Sequence, residues 1–103
     1  MDEELTLTID RRYGTKFWKN KKKQLHKLDG PAIEWLNGEK EWWQNGKLHR
    51  EDGPAFIFPS GRGVGCKKWF LNGCFYKTKE EYFDALPDEA KAKCLFSEDF
   101  LNG

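Results

Sequence analysis

The sequence predicts a mainly β fold of the α+β class, an antiparallel meander of repeated β-hairpins closed by two short C-terminal helices. Three observations predict it. An octapeptide occurs twice with a period of 23 residues, "LHKLDGPA" over Leu25–Ala32 and "LHREDGPA" over Leu48–Ala55. Asn-Gly pairs at Asn37-Gly38, Asn45-Gly46 and Asn72-Gly73 fall between aromatic and β-branched runs, where both residues tolerate the positive φ of a tight hairpin. After Thr78 the apolar spacing changes from alternation to helical periodicity.

Strands are expected over Leu5–Asp10, Lys16–Asn20, Ala32–Leu36, Glu41–Gln44, Ala55–Phe58, Lys67–Leu71 and Phe75–Lys77, all joined by short connections. Within each octapeptide, Asp hydrogen-bonds the backbone, Gly takes a conformation closed to other residues, and Pro fixes the exit. His26, Asp29, Gly30 and Pro31 in the first copy, and His49, Asp52, Gly53 and Pro54 in the second, therefore read as turn builders. A third, degenerate unit begins at "KWFLNG", Lys68 to Gly73, and lacks the Asp-Gly-Pro-Ala ending, as terminal repeats do. In the tail, Thr78 with Glu81 forms a capping-box pattern before Tyr82, Phe83 and Leu86. Pro87 ends that helix and opens a second, with Ala90, Cys94 and Leu95 as its apolar stripe. The expected organisation is a single domain over 1–103, with the repeat sheet in 1–77 and a helical cap in 78–103.

Alternation puts rings on both faces of the sheet. Trp42, Trp35, Phe56, Phe58 and Trp69 are expected on the side packed against the helices, with Trp18, Trp43 and Phe70 on the other. The second face then needs cover from curvature, a second copy of the chain or a partner.

At 103 residues with 38% hydrophobic and 16% aromatic content, the core must be modest and built from a few large rings. The formal net charge of +1 points to no class of partner, but its distribution is uneven. Eight cations and no acid lie between Arg11 and Leu28, whereas Thr78–Gly103 holds seven acids against three lysines. Three cysteines without paired spacing argue against a disulfide framework and for a reducing, intracellular setting. The start, Met1-Asp2-Glu3-Glu4, lacks the cationic region of a secretory leader, and no apolar run reaches membrane-spanning length.

Catalytic patterns are weak. His26 and His49 each precede an Asp by three residues, but a pair repeated in register with Gly and Pro belongs to the turn, where His packs over it and bonds the Asp or a backbone carbonyl. Two hairpin-separated His–Asp pairs do not make a metal site. Cys66 has cationic neighbours in Lys67 and Lys68 but no His near in sequence. The Gly-rich segment Ser60–Gly65 lacks the strand–loop–helix frame of a phosphate loop, although Arg62 at its tip is placed to meet an anion. No catalytic residue, metal or cofactor is assigned.

The string Trp43–Ala55, "WQNGKLHREDGPA", resembles a repeat of tailed-bacteriophage and giant-virus proteins, and is loosely similar to MORN repeats, which build β-hairpin arrays. The resemblance covers about Lys16 to Tyr76; the first copy departs from it, with Lys27-Leu28 for Arg-Glu and a lysine run for Asn-Gly-Lys. It implies a hairpin-repeat fold and a viral origin, and it implies no reaction.

The expectation is a small non-enzymatic protein, phage-encoded, that docks on a host or defence protein in the bacterial cytoplasm and inhibits it. Trp18, Trp43 and Phe70 would anchor, and Lys21, Lys22, Lys23, Arg50 and Arg62 would steer an acidic target. Self-association is a further expectation, and no membrane partner is expected. Two alternatives remain open: a sponge for a nucleotide signal, with rings on the base and Arg50, His49 or Arg62 on phosphate, and a single-stranded nucleic-acid binder built on "KFWKNKKKQLHK".

Overall fold

Two-residue turns and proline corners alternate along this chain, and the backbone follows them closely. The computed structural model describes residues 5–59 and 66–102. Asn45-Gly46 has φ of 51° and 80°, and Asn72-Gly73 has 50° and 83°, the paired positive values of a type I′ turn. The first hairpin turns differently. Asn20 N–H donates to Gln24 O and Lys23 N–H to Asn20 O, while Lys23 itself is left-handed at φ 63°. That is the three-residue loop in which glycine is the usual occupant of the last position.

The strands are β1 (Thr6–Ile9), β2 (Lys16–Lys19), β3 (Ile33–Glu34), β4 (Lys40–Glu41), β5 (Trp43–Gln44), β6 (Lys47–Leu48), β7 (Phe56–Phe58), β8 (Cys66–Leu71) and β9 (Cys74–Tyr76). Seven form one antiparallel sheet in the order β1-β2-β3-β4-β7-β8-β9, and β5 and β6 form a separate two-stranded hairpin. The run expected as one strand over Glu41–Gln44 is therefore split at Trp42. The Trp42 N–H donates to Ala55 O and its carbonyl accepts from His49 N–H, so the chain changes partners at that residue. Before Trp42 it pairs with β3 and β7; after it, with β6 and the preceding hairpin.

Successive hairpins stack by backbone bonds repeated in register. Lys27 N–H donates to Trp43 O and Gly46 N–H to Leu25 O; one unit later, Arg50 N–H donates to Phe70 O and Gly73 N–H to Leu48 O. The matching residues of the second and third hairpins are thus Trp42 and Trp69, Gln44 and Leu71, and His49 and Tyr76. Between hairpins, Ala32 and Ala55 are fully buried.

Three helices follow, one more than expected: α1 (Lys79–Ala85), α2 (Asp88–Cys94) and α3 (Glu98–Leu101). Thr78 Oγ1 accepts from Glu81 N–H and caps α1; Ser97 Oγ accepts from Phe100 N–H and caps α3. The core lies between these helices and the third hairpin, where Trp69 and Leu71 pack on Tyr82, Leu86, Ala90, Cys94 and Phe100. Of the five rings expected beneath the helices, only Trp69 is there. So short a cap reaches one hairpin rather than the whole sheet face. Trp35 instead lines a groove with Phe17 and Leu36, and Phe58 is exposed. The alternation expected over Ala32–Leu36 also fails, since both Ala32 and Ile33 are buried and β3 is only two residues long.

Candidate binding surface at the stacked corners

Each octapeptide contributes a His whose ring is buried and whose Nδ1 accepts a backbone N–H. His26 takes the Asn45 N–H at 2.9 Å and His49 takes the Asn72 N–H at 2.9 Å. The expected partner, an Asp or carbonyl of the same turn, is replaced by the asparagine of the next hairpin. Both rings thereby act as staples between repeats. An accepting Nδ1 fixes the neutral imidazole with its proton on Nε2. Burial lowers the His49 pKa, and Glu51, with its carboxylate 3.9 Å from Nε2, only partly offsets this.

After each His comes a cation that lies over a tryptophan of its own hairpin: Lys27 Nζ is 4.4 Å from the Trp18 ring centre and the Arg50 guanidinium 3.9 Å from that of Trp42. The likeness ends there. Arg50 is buried, with Nε on Asp52 at 2.9 Å, Nη1 on Pro54 O at 3.1 Å and Nη2 on Asp99 at 2.7 Å. This corrects its expected role as a free steering charge: all three of its nitrogens donate in tying the second corner to α3. Gly30 and Gly53 are also corrected, since neither has a positive φ. Gly53 is needed for space instead, because a Cβ there would stand 2.8 Å from the Arg50 guanidinium carbon; at Gly30 the nearest atom, Lys27 Nζ, is at an ordinary 3.6 Å.

The cap closes over the second corner and takes three carbonyls in succession. The Tyr82 hydroxyl donates to Arg50 O, Cys94 Sγ to Glu51 O at 3.3 Å, and Ser97 Oγ to Asp52 O at 2.6 Å. Tyr82 also accepts the Gly53 N–H at 3.3 Å and packs 4.9 Å from the Trp69 ring. Burial pushes the Tyr82 phenol far above its usual range, and burial with the nearby Asp52 raises the Cys94 thiol. A buried thiol of this kind is structural rather than nucleophilic.

Over the first corner there is a cleft of about 320 Å³, lined by Leu28, Asp29, Gly30, Trp42, Gln44 and His49 among others. Among the described residues, no hydrogen bond reaches the carbonyls of Lys27, Leu28 and Asp29 or the N–H of Gly30.

The expected anchors divide. Trp18, Trp43 and Phe70 are half-buried; the Trp43 indole donates to Glu41 at 2.9 Å, and Phe70 packs on Phe75 at 5.4 Å. Trp43 thereby lowers the Glu41 pKa, but burial outweighs it and holds that carboxyl above its usual value. Lys21, Lys22 and Lys23 are exposed on the first hairpin turn. Asn20 Oδ1 accepts the N–H groups of both Lys22 and Gln24 at 3.0 Å, which fixes the turn's shape. Arg62 lies outside the described residues. Asp29 and Pro31 stand at the open corner, and Asp52 and Pro54 at the closed one. The sequence reading missed Leu28, Gln44 and Tyr82; the signal for all three was there, in the alignment of hairpins once Tyr76 is set on His49.

Among the described residues, no group of three or more His, Cys, Asp or Glu side chains could hold a metal ion, and no helix is long and apolar enough to cross a membrane. No protein-family model, curated protein or solved structure matches the chain.

Proposed function

We propose that this is a non-enzymatic docking protein that binds an acidic protein surface through its first hairpin and blocks it, with a phage-encoded inhibitor of a host or defence protein as the setting. The observation that carries the reading is the lysine turn. Three consecutive lysines are exposed on a loop whose backbone is held by the buried Asn20, with Lys23 kept in a conformation that costs a non-glycine residue about 1 kcal/mol. A side-chain brace and a strained residue at the end of a charged loop favour recognition over mere solvation. Trp18 and Lys27, stacked at the base of the same hairpin, give the charge an apolar neighbour.

The alternatives have less support. For a nucleotide sponge, Arg50 and His49 were the expected phosphate contacts. Arg50 is committed to two carboxylates, and the His49 Nδ1 is committed to a backbone N–H. For single-stranded nucleic acid, Lys27 lies over the Trp18 ring and takes one of the two faces on which a base could stack.

The test is capture from a host lysate with the wild-type chain and with Lys21, Lys22 and Lys23 all changed to Glu. The reading expects a protein retained by the wild type, released by moderate salt and lost with the variant. Retention that ignores both salt and the charge reversal would refute it.

A further inference from the structure

The open cleft at the first corner is the repeat equivalent of the seat that Tyr82 fills at the second. Shifted by one hairpin, six of its eight lining residues match the seat; the other two, Arg50 and Asp52, belong to the second corner itself. Leu28, Asp29 and Gly30 correspond to Glu51, Asp52 and Gly53, whose backbone meets the cap. Trp42 corresponds to Trp69, the ring against which Tyr82 packs at 4.9 Å. Gln44 corresponds to the core residue Leu71, and His49 to Tyr76, whose ring centre lies 6.4 Å from that of Tyr82. The two polar atoms that hold the Tyr82 hydroxyl, Gly53 N–H and Arg50 O, have counterparts in Gly30 N–H and Lys27 O. Neither counterpart has a hydrogen-bond partner among the described residues.

We infer that the first-corner cleft is a binding site for a tyrosine side chain presented by a partner polypeptide. The phenol donates to the Lys27 carbonyl and accepts from the Gly30 N–H, with its ring against Trp42. The cleft volume of about 320 Å³ accommodates a single ring with room to spare. Its lining joins the Trp42 ring and the Leu28–Gly30 backbone to the side chains of Asp29, Gln44, His49, Arg50 and Asp52, and the Gly30 N–H and the Lys27 carbonyl of the same corner suit a hydroxyl that both donates and accepts. The molecule itself supplies the precedent for a polypeptide source, since the one occupant of this kind of seat is a tyrosine on a short helix with Glu80 and Glu81 in its first turn. Charge fits as well, because the lysine turn lies in the hairpin that leads into this corner, as befits a partner whose tyrosine has acidic neighbours. The inference rests on the docking reading above and names the residue type that such a partner inserts.

The probe is the blocked peptide with the sequence of residues 78–86, added to the whole isotope-labelled protein and followed by amide and indole NMR signals, beside N-acetyl-tyrosinamide as the bare ring. Saturable movement of the Gly30 amide and Trp42 indole is expected with both probes, with the Gly53 amide unmoved because its seat is filled. The same peptide carrying Tyr82→Phe should bind about fivefold to tenfold more weakly, the usual worth of a phenol's hydrogen bonds. Equal binding of the phenylalanine form, or movement confined to the lysine turn, would overturn the cleft assignment while leaving the docking reading intact. Silence from both probes would overturn it too, and lysate capture would still judge the docking reading separately. A concentration-dependent shift at Gly30 that vanishes with Tyr13→Phe, a change at an exposed residue between β1 and β2, would give the cleft to a second copy of this chain and so overturn the partner proposal.

Discussion

The two Asp-Gly-Pro-Ala corners share a motif, a fully buried alanine and a stapling histidine, and yet they are used in opposite ways. At the second, three carbonyls in succession are taken by Tyr82, Cys94 and Ser97, and Arg50 reaches across to Asp99. At the first, the equivalent carbonyls meet no donor among the described residues and Lys27 reaches no acid there. The motif therefore dictates the bend of the backbone, and the tail dictates which bend is covered. A residue's role cannot be carried from one copy to the other without asking what lies above it.

Substitutions made in pairs, one at each corner, sharpen this contrast. Arg50→Ala strands Asp52, Asp99 and the Pro54 carbonyl and uncovers the Trp42 ring, so a loss of about 2–3 kcal/mol in chemical unfolding is expected, reduced from the fully buried case because both acids are half-exposed. Lys27→Ala should cost about 0.5 kcal/mol, and comparable losses at the two sites would erase the distinction. Gly53→Ala forces its methyl group into the guanidinium and should cost about 1–3 kcal/mol; Gly30→Ala meets only an ordinary contact and should fall within about 0.5 kcal/mol of the parent. Tyr82→Phe keeps the ring on Trp69 but leaves Gly53 N–H and Arg50 O unmet, a cost of about 1–2 kcal/mol in thermal or denaturant melts.

Acid should separate stability at His49 from the rest. Its folded pKa lies below the unfolded value of 6.5, so the neutral ring is the form that folding favours. That contribution is fully present above pH 6.5 and is lost as pH falls through the folded pKa. Denaturant midpoints measured between pH 7.5 and 5 should fall in the parent, and fall less in His49→Gln, whose amide oxygen can still accept the Asn72 N–H. Equal slopes would remove His49 as the cause. The smallest effect is a gain. Lys23→Gly relieves a left-handed lysine and should raise stability by up to about 1 kcal/mol, while Asn45 and Asn72, also left-handed, have less to gain because asparagine tolerates that conformation.

Much of this architecture is legible in the sequence because it is local. The Asn-Gly turns at Asn45 and Asn72, the seven main strands and the caps of α1 follow from residues a few positions apart; at Asn37-Gly38 the expected pair of positive φ values fails, since only Gly38 is left-handed. What escaped was long-range or brief. β6 is only two residues, Lys47–Leu48, and α3 is four, Glu98–Leu101, both too short to show a period. The burial of Arg50 depends on Asp99, 49 residues away, and an arginine after a histidine looks the same whether or not an acid will fold over it. The glycines of the corners looked like positions needing positive φ, because the Asp-Gly pair is a common signal for it; here one is kept for the volume it does not occupy. The cleft was invisible until the third hairpin was superposed on the second, since Tyr76 and His49 share a place but no chemistry.

The histidine staple also makes the array extensible. Each unit offers its successor a ring nitrogen and asks of it one asparagine N–H, so an extra 23-residue module spliced between the copies would find complementary edges on both sides. Such a lengthened chain would carry a second vacant seat beside the first. Duplication and deletion of whole modules would then change the number of open corners without altering any one of them.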